Sequence, residues 1–232
     1  MDSVNYAPEN AIHVLDNGQG WIALLRYSGE EIDIVNAARV SFGKLKKEFD
    51  EKDRGLLKFL IDEEHFAPLE HETMTFLVHC PLYVRGQWMR HRTFSYNEIS
   101  RRYTEVDMEL YTPENYRIQS KNNKQASQDN EYVEYNDQIK ATVELANKQA
   151  LQHYNYLLSV GVCREQARGV LPQNMMTTFY MTGNLRNVLH FLGLRMDQHA
   201  QWEIRQYANA MHEILKKIYP TVIEAFDKGL IR

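Results

Sequence analysis

The 232-residue sequence predicts an α+β fold in one domain, residues 1–232. Three observations carry that expectation. Apolar stretches of strand length occur in both halves of the chain, longer segments with apolar residues at spacings of three and four lie between and after them, and neither a repeat nor a Pro/Gly/Ser-rich linker divides the chain. Hydrophobic residues are 44% and charged residues 25%, which excludes a disordered, collagen-like or disulfide-framework protein.

The elements follow in order. Ile12, Val14 and Leu15, the turn-rich Asp16-Asn17-Gly18 and the apolar run Trp21 to Tyr27 predict a hairpin closed by Ser28-Gly29. Ile32, Ile34, Val35 and Ala38 predict a helix over 30–42, and Leu56, Leu57, Leu60 and Ile61 another over 52–64, before Pro68 breaks the chain. Met74, Phe76 and Val78 alternate in a strand at 73–80, and Pro81 opens a helix through Arg90. Residues 92–103 lack a sustained period and are expected to be a loop, followed by a short strand at 109–112. Segment 117–131 is nearly free of apolar residues and is expected to be an exposed, mobile insertion.

Ile139, Val143, Ala146, Ala150, Tyr154 and Leu157 predict a long amphipathic helix over 132–159, capped by Gly161. A short helix at 163–171 stops before Pro172, a strand follows at 174–182, and Gly183-Asn184 turns into a helix through 194. The last long helix, 200–218, carries Ile204, Tyr207, Ala208, Met211, Leu215 and Ile218 on one face and ends before Pro220.

No apolar run approaches the roughly 18 to 20 residues that span a bilayer, and MDSVNYAPEN lacks the basic-then-apolar pattern of a signal peptide, so a cytoplasmic protein without membrane contact is expected. Cys80 and Cys163 form no CxxC pair, which leaves no disulfide scaffold or cysteine-rich zinc site. The net charge of −4 argues against a surface made throughout for nucleic acid. Charge type says more. All twelve lysines fall within 44–58, 121–148 and 216–228, whereas 59–120 and 149–215 contain arginine as their only strong cation. Planar guanidinium forks suit phosphates, carboxylates and stacked rings, so the two arginine-only regions suggest one anion site assembled from both.

The densest patch runs from Gln87 to Tyr103, with four arginines and His91 beside hydroxyls and amides and Glu98 as its only acid. Such a segment could hold a phosphate and a polar base edge, with aromatic planes at 88, 94, 96 and 103. The same composition suits a solvated basic loop or an RNA-contacting surface formed by 85–103.

Arg90 to Tyr103, RHRTFSYNEISRRY, fits the pattern RHRxxSxNxxSxRY at all eight fixed positions, a match expected by chance at a given site on the order of one in 10^10. This segment resembles the signature of the flavin-dependent thymidylate synthases. The resemblance extends to NAARVSF (36–42), APLEH (67–71), GQWMRHR (86–92), AR and VLPQN (167–174) and LRMDQHAQWEIRQYA (194–208), but not to 117–131 or the last dozen residues. It implies a central mixed or antiparallel sheet flanked by long helices, and a homotetramer with active sites between subunits. The implied reaction is reductive methylation of dUMP to dTMP, with FAD as cofactor and 5,10-methylenetetrahydrofolate and NADPH as co-substrates, and without a covalent enzyme nucleophile.

By the same resemblance Arg195 is the catalytic residue: a guanidinium beside the pyrimidine would stabilise the ring anion that makes C5 reactive. Gln87, Arg90, Glu98, Ser100, Arg101, Arg102, Arg168 and Arg195 would bind dUMP. His65, Arg90, His91, Arg92, Glu98, Asn184, Arg186, His190 and His199 would contact FAD. No GxGxxG loop exists, so arginines would have to carry the flavin pyrophosphate. Two positions depart from the pattern: Ala67 stands where relatives often have a hydroxyl residue, and His190 where asparagine is common.

Glu64, His65, Glu70, His71 and Glu72 could instead suggest a metal-dependent nucleotide hydrolase, but their spacing matches no known ligand pattern and no metal is expected. Ser100 lacks an evident histidine base, and is therefore expected to bind rather than attack.

Overall fold

A computed structural model of the chain describes residues 6–105, 108–124, 126–229 and 231. The first five residues of the N-terminal segment, and Gln125 within 117–131, lie outside this range. Seven strands are present among the described residues: β1 (Ile12–His13), β2 (Trp21–Tyr27), β3 (Thr73–Pro81), β4 (Ser95–Glu98), β5 (Arg117–Gln119), β6 (Ser127–Tyr132) and β7 (Met176–Asn184). Five build a sheet in the order β1-β2-β3-β7-β4 with every neighbouring pair antiparallel, and β5 pairs with β6 separately.

The central pair is β3 and β7, in register from Thr73 opposite Asn184 to Pro81 opposite Met176. Successive side chains of a strand point to opposite faces, and in β3 every residue after Thr73 is buried, so both faces of this strand are covered. The alternation of Met74, Phe76 and Val78 marks only one of them; Thr75, Leu77 and His79 fill the other.

The helices are α1 (Glu31–Arg39), α2 (Glu51–Asp62), α3 (Leu82–Trp88), α4 (Asn136–Ser159), α5 (Arg164–Ala167), α6 (Leu185–Arg195), α7 (Trp202–Ile218) and α8 (Pro220–Asp227). Asp50 caps α2 by accepting from the Lys52 and Asp53 amides, and Asn184 caps α6 by accepting from the Asn187 amide. Short 3₁₀ turns at Val40–Phe42 and Arg168–Val170 complete the segments in which longer helices were expected. Gly161, at φ +89°, follows α4 as anticipated. The core centres on Trp88, stacked on Phe191 at 4.8 Å and edge-on to Phe179 and Tyr207, its indole N–H donating to Met181 Sδ at 2.9 Å. Tyr207 locks α7 to the sheet by donating to the His79 carbonyl at 2.7 Å.

Three expectations change. Ser95–Glu98 is the edge strand β4 rather than loop, because its backbone pairs with β7 although its polar residues carry no apolar period. Residues 109–112 form a single bridge, Leu110 to Met175, rather than a strand. Segment 117–131 takes part in a hairpin held against α7 by Arg117–Glu203 and Arg205–Asp129 ion pairs, where a mobile insertion was expected. The last long helix, α7, ends at Ile218 ahead of Pro220 as expected, and Pro220, whose fixed φ suits a first turn, opens the further short helix α8. Among the described residues no helix is long and apolar enough to cross a membrane.

Candidate active site

Helix α3 organises the site. At 3.6 residues per turn it displays three faces. Val84 and Trp88 enter the core, Leu82 and Arg85 line one cleft, and Tyr83, Gly86 and Gln87, with Arg90 just beyond the helix, line another. The two clefts have volumes of about 530 Å³ and 520 Å³, each large enough for a nucleotide-sized ligand.

The second cleft holds Gln87, Arg90, Arg195 and His199, with Tyr83, Ala200 and Gln201, and among the described residues no carboxylate lines it. Arg195 ends α6, where a cation interacts favourably with the helix dipole. Its Nε donates to His91 Nε2 at 2.9 Å and its Nη2 to the Gln87 carbonyl at 3.2 Å. Burial, and then the charge of Arg90, lowers the Arg195 pKa. Burial pulls the His91 pKa down to about 4, with Arg195 and His190 adding to it, so at neutral pH the ring is neutral and its Nε2 is an acceptor. Tyr96 donates to the carbonyls of Trp88 and His91, both at 3.0 Å, which fixes the turn presenting the imidazole. Asp197 engages His199, through the ring at 2.8 Å and the amide at 2.7 Å, leaving Arg195 to the cleft.

The first cleft holds Glu98, Ser100, Arg101 and Arg168 together with Arg85, Gln173 and Thr177. Glu98 Oε2 accepts from Arg85 Nε at 2.9 Å and Nη2 at 2.5 Å, and its Oε1 accepts from Thr177 at 2.8 Å. Arg101 is buried and Arg168 exposed. Arg102 lies 3.5 Å from Glu165 at the rim, its amide donating to Ser100 Oγ at 3.3 Å. Tyr83, Thr177 and Gln201 were not singled out from the sequence, and Arg85 was read there only as one arginine of the 59–120 region, with no role of its own.

The expected flavin contacts are dispersed in the same way. Arg186 and His190 line a smaller cleft of about 220 Å³ with Phe66 and Leu69, where Arg186 pairs with Glu70 and lies over the Phe66 ring at 5.7 Å. His65 sits edge-on to Phe59 in an apolar cleft with Phe42 and Leu56. Asn184 spends its oxygen on the α6 cap and keeps its amide N–H groups. Arg92 is exposed, and His91 lies 6.4 Å from His190 across a T-shaped ring contact. Cationic forks beside aromatic faces suit a flavin dinucleotide, whose pyrophosphate needs charge and whose rings need flat apolar walls. Among the described residues, no three His, Cys, Asp or Glu side chains are placed to hold a metal ion.

The sequence and the fold have known counterparts. The sequence matches the thymidylate synthase complementing protein family, Thy1, over residues 23–221. It is 43% identical over 220 residues to a flavin-dependent thymidylate synthase of Thermus thermophilus, covering 95% of this chain and 79% of that one. A flavin-dependent thymidylate synthase of Thermosipho melanesiensis is 41% identical over 215 residues, with 93% of each chain covered. In three dimensions the chain superposes with a TM-score of 0.80 on a UMP/dUMP methylase, PolB, from Streptomyces cacaoi bound with 5-Br dUMP, at 33% identity over 89% of this chain and 94% of that one. With the signature intact from Arg90 to Tyr103, the chain belongs to the thymidylate synthase complementing protein family, that of the flavin-dependent thymidylate synthases.

Proposed function

We infer that the protein methylates dUMP to dTMP as a flavin-dependent thymidylate synthase, with FAD as cofactor, 5,10-methylenetetrahydrofolate as carbon donor and NADPH as reductant. The observation that carries this reading is Arg195. It is a half-buried guanidinium beside Arg90, clamped by a neutral imidazole and a carbonyl, in a cleft whose lining supplies no counter-charge among the described residues. Two cations at such a site favour an anionic guest, and a delocalised pyrimidine anion is one.

In this reading Arg195 stabilises negative charge on the uracil ring and so raises the reactivity of C5, a preorganised effect worth a few kcal/mol. His91, unable to compete as a cation, keeps the guanidinium aimed. Gln87 and Arg90 hold the nucleotide from the same cleft. Ser100, Arg101, Arg102 and Arg168 take the phosphate, and Glu98 orients Arg85 and contacts ribose or base. Arg90, His91, Arg92, Asn184, Arg186 and His190 hold the flavin, with His65 and His199 near its ring; FAD supplies the reducing equivalents when bound.

The two groups of nucleotide residues line separate clefts on opposite sides of α3, which supports a site completed by a second subunit, as in a homotetramer. The α4 stripe points the same way: Ile139, Val143, Ala150 and Leu157 are only half-buried in one protomer, and Leu145 and Tyr156 on the same helix are exposed.

The test is the visible spectrum of the purified protein. A flavin band that bleaches under anaerobic NADPH, with dTMP appearing once dUMP and methylenetetrahydrofolate are added, is expected. A colourless protein that binds oligonucleotides with steep salt dependence would replace this reading with an RNA-binding one.

A further inference from the structure

A chain of directed hydrogen bonds leads from the dUMP-proposed cleft to the β5–β6 hairpin, a segment outside the sequence motifs that carry the resemblance. Gln87 Nε2 donates to Gln201 Oε1, Gln201 Nε2 donates to Glu203 Oε2 at 2.8 Å, and Glu203 Oε1 accepts from Arg117 Nη2. Arg117 is itself held on β5, its Nε donating to Ser127 at 2.9 Å and its guanidinium lying over Trp202 at 4.5 Å. Glu203 is 3% exposed.

The polarity of this chain is set at its far end. A carboxylate only accepts, so Glu203 paired with Arg117 obliges Gln201 to turn its NH₂ toward it. Gln201 must then offer its oxygen to Gln87. Gln87 in turn commits an N–H to Gln201 and leaves its Oε1 to accept within the cleft.

We propose that Arg117 and Glu203 are positioning residues that fix the amide orientation of Gln87, so that Gln87 presents an acceptor to a donating group of the nucleotide, a ribose hydroxyl or the ring N–H. This rests on the dUMP reading of the cleft. An amide free to flip would present NH₂ to that donor half the time, losing a hydrogen bond and gaining a repulsion.

The experiment is a double-mutant cycle on the flavin-loaded protein, with dUMP affinity measured by calorimetry and kcat and KM by dTMP formation. Glu203→Gln, isosteric but able to donate, is expected to raise the dUMP Kd about tenfold and to leave kcat at saturating dUMP within about twofold. Gln87→Ala alone should weaken dUMP similarly, and Glu203→Gln should add nothing further in that background. Arg117→Gln repeats the test at a hairpin position should Glu203→Gln not fold, with Arg117→Lys restoring part of the affinity. Additive losses, or unaltered affinity in Glu203→Gln and Arg117→Gln while Gln87→Ala weakens dUMP, would overturn the relay alone. Unchanged affinity in Gln87→Ala would overturn the substrate reading of Gln87 and the relay with it.

Discussion

Arg195 Nε donates to His91 Nε2 across 2.9 Å, so a permanent cation is held by a ring that must stay unprotonated. This contact makes the aim of the guanidinium depend on the protonation state of its neighbour, and it ties α6 to the turn that follows α3.

Replacing Arg195 should therefore affect chemistry more than assembly. Arg195→Ala is expected to lower turnover by on the order of 10² or more while the protein remains yellow. Arg195→Lys should also be impaired, because one ammonium cannot reproduce both the His91 and Gln87 contacts and a planar charge toward the ring. Steady-state rates beside flavin absorbance check this; near-normal turnover in Arg195→Ala would remove the residue from its role.

The separation of Arg195 and Arg168 into different clefts predicts complementation between inactive variants. Arg195→Ala and Arg168→Ala, each inactive alone, should recover about a quarter of wild-type activity when co-assembled at equal amounts, since a random pairing places two intact halves together at one site in four. Absence of recovery in demonstrably mixed assemblies would mean that both arginines serve from the same chain.

The pH dependence of stability follows from His91. Its pKa falls from about 6.5 unfolded to about 4 folded, mainly through burial. The stabilisation it contributes is complete above pH 6.5 and is lost as pH falls toward 4, because the unfolded chain then binds the proton that the folded ring refuses. Melting midpoints recorded from pH 8 to pH 5 should drop more steeply for the wild type than for His91→Gln. Parallel curves would place the titration elsewhere.

Gly183 faces Phe94 so closely that an added Cβ would collide with the ring, which is 7% exposed and packed among His91, Tyr96 and Phe191. Gly183→Ala is expected to cost about 1–3 kcal/mol, lowering the melting midpoint by several degrees, and to weaken flavin retention by displacing the His91 turn. A variant as stable as the wild type would show that Phe94 yields without cost.

What was legible in the chain was local. The periods of α1, α2 and α7 could be read because an amphipathic helix writes its buried face into spacings of three and four, and the Arg90–Tyr103 signature could be read because its chemistry is contiguous. Strand β4 and the β5–β6 hairpin carried no such mark: their polar residues are placed by backbone pairing to β7 and by Arg117–Glu203, partners 80 or more positions away. The site divides along the same line. Its residue types were present in the sequence, but which arginines share a cleft was decided by the winding of α3, which turns Arg85 to one side and Gln87 to the other. Non-local pairing and helical phase are properties of the folded chain, and they divide one motif between two clefts.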